Sequence, residues 1–241
     1  PDLLTEQIKS IKSNENSNVR ISSHTKFVFP SELINDINAH LDDLKYSVEK
    51  LSSKNYIFKK DINNLLECEK ELTNEILNKL NSQIILCKRN KGLWSVQDIH
   101  ETILYKNNKI NFKDLNEGIP IMCTKNNNDL GLSNGDIGVL IGKSENRRFL
   151  FKIFDENNKP LIRLINPTNI QNIVPAIAIT IHKSQGSEAK KVFLLWNKSL
   201  NGTKTSFNKS INKNLFFDND FERRLFYTAI TRAKNFLDLY Y

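Results

Sequence analysis

The sequence is poor in the residues that staple small exported domains together. Of 241 residues only three are cysteines, Cys68, Cys87 and Cys123. They lie far apart, without a Cys-x-x-Cys pair or a nearby His pair. That argues against a disulfide framework and a zinc site, and favours a reducing cytoplasm. No metal-ligand set is read elsewhere. No apolar run approaches the ~20 residues of a membrane-spanning helix, so no membrane partner is expected. Nothing at the start reads as a secretory signal. The only methionine is Met122 and the chain opens on Pro1. The expectation is therefore a piece of a longer protein, with part of any active site outside it.

What is present describes a soluble globular chain: 39% hydrophobic and 26% charged residues, with a net charge of +8. The charge is uneven. Residues 1–81 hold 11 Lys/Arg against 13 Asp/Glu, a net of −2, and residues 82–241 hold 24 against 14, a net of +10. A polyanion is the natural partner of the second part, and a merely soluble basic surface is the alternative. The 33 asparagines are read as compositional bias and carry no functional weight.

Residues 3–11 read as a short amphipathic piece, followed by a polar linker. Ser31 reads as an N-cap with Glu32 in the first helical turn. Ile34, Ile37, Leu41, Leu44, Val48 and Leu51 then recur at spacings of three and four, a narrow helical seam. Ile62, Leu65, Leu66, Leu72, Ile76 and Leu80 suggest a second helix, making residues 31–81 a helical hairpin within a mostly helical region 1–81. "QIILCK" reads as a buried strand and "SVQDIHETILY" as a helix capped by Ser95. "IPIMCTK", "DIGVLIG", "RFLFKIF" and "PLIRLI" are four short strands. Asn134-Gly135 is a hairpin signal, and 144–146 and 155–159 are plausible turns. These strands suggest a small β-barrel, residues 118–167, inserted into an α/β domain formed by 82–117 and 168–241. The α/β pattern resumes with a strand at 173–181, a polar insert, a strand at 192–196, a helix at 219–234 and the strand "FLDLYY".

Two stretches imitate nucleotide motifs. "GVLIGKS" has its glycines one residue too close for a phosphate-binding P-loop and sits in a strand-like run, where a hairpin is the better reading. "FLFKIFDE" mimics a magnesium-holding strand, yet "NNKP" follows and a solvated turn is expected. The chain therefore holds no ATP-cradling loop of its own.

The polar insert carries the chemistry. In "AIAITIHKSQGSEAKKVFLLW" a buried strand runs into a loop, where α/β proteins place ligands. Thr180 and His182 are two apart and share a face as the strand emerges. Gly186 lets the backbone turn closely under a ligand. Glu188 is the loop's only acid and can accept from ribose hydroxyls. In "RRLFYTAITRAK" Leu225, Ala229 and Arg232 fall on one helical face, so the guanidinium points toward an interface, while Arg223 and Arg224 lie outside.

These blocks resemble motifs V and VI of superfamily 1 DNA helicases, particularly the RecD-like group that includes the alpha subunit of exodeoxyribonuclease V. "EGIPIMCTKNNNDLGLSNGDIGVLIG" resembles the stretch before motif V in that group. The resemblance implies a second RecA-like motor domain with an inserted SH3-like β-barrel. It implies an intact enzyme using ATP and Mg2+ for 5′→3′ movement on single-stranded DNA, held mainly by a first motor domain outside this chain. It places Gly186, Ser187, Glu188 and Arg232 at the nucleotide, with Arg232 the catalytic arginine finger, and Thr180, His182, Lys183 and Ser184 at the DNA. Two larger subunits of an exodeoxyribonuclease V complex, working in repair and recombination, are the implied partners. A standalone helicase or the motor of a conjugative relaxase shares these motifs. The position after Glu188, usually bulky in the group, is Ala189 here, and no motif IV arginine is found; Arg20 lacks the surroundings. The rival from another class is a non-catalytic single-strand-binding module, which needs exposed aromatics, whereas Phe149, Phe151 and Phe154 read mostly as core.

Overall fold

Continuous apolar runs such as "VFLLW" call for a sheet buried on both faces, and the computed structural model supplies it. It describes residues 18–24, 28–54, 58, 67–104, 115–154, 157, 159–197 and 220–241. The amphipathic reading of 3–11, the start of the second predicted helix and most of the turn at 155–159 lie outside these residues. Two compact units are present: Pro1–Phe27, Ile84–Asp98 and Ile179–Tyr241 in the first, Val28–Gln83 and Ile99–Ala178 in the second.

The first unit is α/β. Its strands are β1 (Asn18–Ser22), β2 (Gln83–Cys87), β8 (Ile179–Thr180), β9 (Ala189–Leu195) and β10 (Ala233–Tyr240), in the order β1-β10-β9-β2-β8. β1 and β9 run parallel to β10, and β8 parallel to β2. Val192, Phe193, Leu194 and Leu195 are all fully buried, as a doubly covered strand requires. Helix α4 (Asp220–Ile230) buries Leu225, Phe226, Ala229 and Ile230, and Phe226 meets the Trp196 ring edge-on at 5.0 Å. Arg20 donates to the Asp238 carboxylate across β1 and β10.

The second unit holds β3 (Pro120–Cys123), β4 (Ile137–Ile141), β5 (Arg148–Phe154), β6 (Pro160–Ile165) and β7 (Ile173–Pro175). They form an antiparallel sheet in the order β6-β5-β4-β3-β7. The four strands read from sequence are all present, and a fifth, β7, completes the sheet. The Asn134-Gly135 turn forms with Gly135 at φ 101°. "GVLIGKS" is strand and turn: Gly138 pairs with Phe151, and a short turn at Ser144–Asn146 leads into β5.

The helices α1 (Ser31–Ser52) and α2 (Glu67–Leu80) pack on this sheet. Leu44, Val48, Leu51, Ile76, Leu77 and Leu80 meet Val139, Ile141 and Leu150. The opposite face carries Ile121, Leu140, Phe149, Phe151 and Ile153. Alternate residues of β4 and β5 thus enter two different cores. That is why these strands read as unbroken apolar runs rather than as an alternation.

Several expectations change. Ser31 is the first helical residue; Pro30 precedes it and no side chain caps the helix. The buried stripe of α1 begins at Leu33 and continues through Ile37, Leu44, Val48 and Leu51, leaving Ile34 and Leu41 half-buried. Phe154 is 59% exposed, not core. The predicted strand 173–181 is two strands in different sheets. The physical reason lies just beyond Ala176, whose amide still donates to Pro120 O at 2.8 Å in register with β3 and β7: Ala178 N donates instead to the side chain of His100, at Nε2 and 3.3 Å, and so serves neither sheet. The sheet formed by the strands of 118–167 also takes in Ile173–Pro175, and residues 99–117 belong to the same compact unit.

Helix α3 (Val96–Leu104) is capped as read, with Asp98 N donating to Ser95 Oγ at 3.1 Å. His100, 8% exposed, is held neutral: burial pushes its pKa down to about 4 from 6.5. The unfolded chain therefore binds a proton that the folded one refuses. Stability is complete above pH 6.5 and declines toward pH 4, by about 3 kcal/mol in all. Urea unfolding at successive pH values measures this. His100→Gln, which keeps an acceptor for the Ala178 amide, flattens the decline; an unchanged slope in that variant assigns it elsewhere.

Candidate nucleotide and nucleic-acid site

The segment after β8 is shaped by what it buries. Ile181 and Ser184 are fully buried, and Ser184 Oγ donates to Ile181 O at 2.7 Å, closing a short 3-10 turn over Ile181–Ser184. Between those two anchors His182 and Lys183 have nowhere to go but solvent, and both are exposed. Ser184 thus departs from its expected place among the DNA contacts: its hydroxyl holds the turn. Thr180 is half-buried at the end of β8.

A second turn follows, with Ser187 N donating to Ser184 O at 3.0 Å. Gly186 takes φ 86° there. Its neighbourhood is open, and a Cβ at this position would meet nothing within 4 Å. The glycine is needed for its backbone angle rather than for a close approach. Glu188 is exposed and pairs with Lys234 Nζ at 3.1 Å, an ion pair that solvent readily exchanges. Ala189 is buried opposite Ala233 in the first rung of β9 and β10, where two small side chains face each other. That accounts for the missing bulk after Glu188.

The helix expected over 219–234 ends at Ile230. Arg232 N donates to Ala229 O at 3.2 Å, and Ala189 N donates to Arg232 O at 3.0 Å, which bends the chain into β10. Arg232 therefore lies just past the helix instead of on its face. Its guanidinium, half-buried, folds back: Nε donates to Thr228 O at 3.1 Å and Nη1 to Ser187 O at 3.4 Å. The first of these bonds caps the C-terminal carbonyls of α4, where a cation is favoured.

The structure thus joins the two motifs directly. Gly186, Ser187, Glu188 and Arg232 gather where β9 and β10 begin. Thr180, His182 and Lys183 gather at the end of β8, beside the first turn of α4, where Phe221 stacks on His182 at 5.9 Å. Arg223 and Arg224 are exposed, as read, and Arg223 pairs with Asp220. Sequence reasoning missed Phe221 and the buried Lys88–Glu222 ion pair, which ties the start of α4 to the end of β2. For Phe221 the signal was an aromatic ring among charges in "DNDFERR". Among the described residues no group of three or more His, Cys, Asp or Glu is placed to hold a metal ion. No described helix is long and apolar enough to cross a membrane.

No protein-family model matches the chain. Two Buchnera aphidicola proteins named RecBCD enzyme subunit RecD do. The one from subspecies Acyrthosiphon pisum is 28% identical over 96% of this chain and 38% of its own length. The one from Schizaphis graminum is 28% identical over 85% and 31%. A Mycolicibacterium smegmatis protein of the same name is 35% identical over 48% of this chain and 17% of its own length. The chain thus spans about a third of the length of the Buchnera relatives. Among solved structures, Bacteroides Pif1 bound to ssDNA is 16% identical, covers 89% of this chain and 50% of that one, and has a TM-score of 0.37. In sequence the chain is therefore similar to proteins named RecBCD enzyme subunit RecD over most of its own length.

Proposed function

We propose that this chain is the second, RecA-like motor domain of a RecD-like DNA helicase, with the antiparallel sheet of the second unit as an SH3-like insert. The observation that carries the reading is the contact of Arg232 with Ser187 and Ala189, which brings motif VI against the nucleotide end of motif V. A guanidinium and a carboxylate, Arg232 and Glu188, then flank one surface at the start of two neighbouring strands. The donor set fits a nucleoside triphosphate: Arg232 for phosphate charge, Glu188 for the ribose hydroxyls, and Gly186 and Ser187 as the backbone between them. Bound ATP and Mg2+ supply phosphoryl transfer, and the residues that cradle the phosphates belong to a first motor domain. In this chain Arg232 supplies positive charge to the transferring phosphoryl group, and Glu188 orients the sugar.

Thr180, His182 and Lys183 form the DNA-facing end, in the part of the sequence whose net charge is +10, and a single strand is the polyanion they fit. The intact protein moves 5′→3′ and assembles with two larger subunits in an exodeoxyribonuclease V that acts in repair and recombination. Tailed duplexes test this in one experiment. The full-length protein with ATP and Mg2+ unwinds a duplex bearing a 5′ single-stranded tail and leaves its 3′-tailed counterpart intact. Unwinding of the 3′-tailed substrate alone reverses the polarity, and unwinding of neither substrate removes the motor reading.

A further inference from the structure

Phe221 is 62% exposed in the first turn of α4, and nothing in the helicase motifs calls for an aromatic ring there. A single exposed apolar side chain is ordinary on a protein surface; what sets this ring apart is a second ring stacked against it. One face is already used: the His182 imidazole lies nearly parallel to it, at 5.9 Å between centroids and 23° between planes. His182 is itself exposed. Two stacked rings open to solvent leave an outer π-face against which a further planar ring can stack.

The exposed charges around the rings are mostly positive. Lys183 follows His182 and is exposed. Arg224 is exposed and lies three residues after Phe221, hence on the same side of α4. The one exposed acid in the turn, Asp220, lies 3.7 Å from the Arg223 guanidinium, and Glu222 is buried against Lys88. Rings flanked by exposed cations are the composition of a surface for single-stranded nucleic acid, in which bases stack and phosphates meet Lys and Arg.

We propose that Phe221 and His182 form a stacking platform for one base of the single strand, with Lys183 and Arg224 holding the phosphates on either side. The proposal rests on the DNA-facing reading of His182 and Lys183 given above, and adds to it a binding residue and a mode of contact. A nucleobase could also be the adenine of ATP. The strand is the source favoured here, because Arg232 follows the other end of α4 from Phe221. Eleven helical residues separate the two ends by about 16 Å.

Binding of the full-length protein to a fluorescent oligo-dT, and to an abasic oligonucleotide of equal length, separates stacking from charge. Phe221→Ala is expected to weaken oligo-dT binding by about 5- to 100-fold while leaving abasic binding and the KM for ATP unchanged. Phe221→Trp keeps the affinity, and the emission it adds over the parent protein is quenched on oligo-dT binding; within this chain Trp94 and Trp196 are buried. Phe221→Leu, which keeps an apolar side chain in the helix, behaves like alanine. Equal losses on both oligonucleotides would overturn the stacking, as would a raised KM for ATP with unaltered DNA affinity. If Phe221→Ala binds like the parent while Lys183→Ala is weakened, the platform is wrong and the DNA-facing reading stands. If the unmodified protein binds no single strand, both fall together.

Discussion

Replacing Arg232 by alanine is expected to lower DNA-stimulated ATP turnover of the full-length protein by about 10³- to 10⁵-fold, the range an arginine finger supplies by stabilising transition-state charge. The structure makes this a clean substitution. The side chain is half-buried, and its hydrogen bonds go to two carbonyls, Thr228 O and Ser187 O, and to the Thr231 hydroxyl. Losing them exposes carbonyls that water can reach, a loss of about 1 kcal/mol. The backbone amide and carbonyl of Arg232, which tie α4 to β9, are untouched by the change. Arg232→Lys is expected to restore little, because a point charge on a flexible stem does not reproduce the planar fork. Steady-state hydrolysis with saturating single strand measures the loss. Binding of the same strand, through residues at the other end of α4, serves as the control and stays at the parental value. Turnover within a few-fold of the parent in the alanine variant would take Arg232 out of the reaction.

Gly118→Ala is expected to be strongly destabilising to the second unit. Gly118 sits at φ 84°, where an L-residue is strained by about 1–2 kcal/mol. Its Cβ would also stand 2.6 Å from the Lys45 Cα and 2.7 Å from the Lys45 nitrogen. Those are backbone atoms of α1, so no side chain can swing away. The helix must move, and with it the contacts of Leu44 and Val48 on Val139 and Ile141. Overpacking of this kind adds about 1–3 kcal/mol, for a total near 4 kcal/mol and a fall in Tm of about 10 °C. Gly186 is the internal comparison. Its φ of 86° is nearly the same, yet nothing lies within 4 Å of its Cβ position. Gly186→Ala should therefore cost only the conformational part, about 1–2 kcal/mol. Equal effects of the two alanines in thermal melts would mean that α1 does not press on Gly118.

Much of this arrangement is legible in the residues, and the illegible parts have identifiable causes. Short apolar runs bounded by Gly, Asn and Pro give the strands of both sheets, and Ser95 gives its helix start, because each depends on local chemistry alone. The partner of the helical hairpin is not local. The apolar side chains of β4 that meet the hairpin, Val139 and Ile141, look no different from Leu140, which faces the other core. The break in the run 173–181 depends on His100, some 78 residues earlier, taking the Ala178 amide. In the site, Glu188 and Arg232 are recognisable from motif spacing, and the exposure of His182 and Lys183 follows from their polarity. Ser184 is not recognisable as an anchor, since a buried serine and a DNA-contacting serine read alike until the turn is closed. The four-residue difference in the end of α4 comes from pairing of Ala233 with Ala189, a long-range rung that outweighs good helix formers such as Ala233 and Lys234.

The outermost strands of the two sheets bear on how concentrated this protein can become. A sheet edge is a template for a strand from another molecule, and the chain offers poor templates. In the antiparallel sheet one outer strand, β6, opens with Pro160, which has no amide to donate, and presents the Arg163 charge to solvent. The other, β7, is three residues long and ends in Pro175. In the parallel sheet β8 is two residues long, and β1 projects the Arg20 guanidinium beside its ladder. Among the described residues, each of these four edge strands is short, charged or poor in donors, and so a weak template for a partner strand. A molecule rich in bare apolar strands is thereby kept from polymerising through the backbone groups that build it.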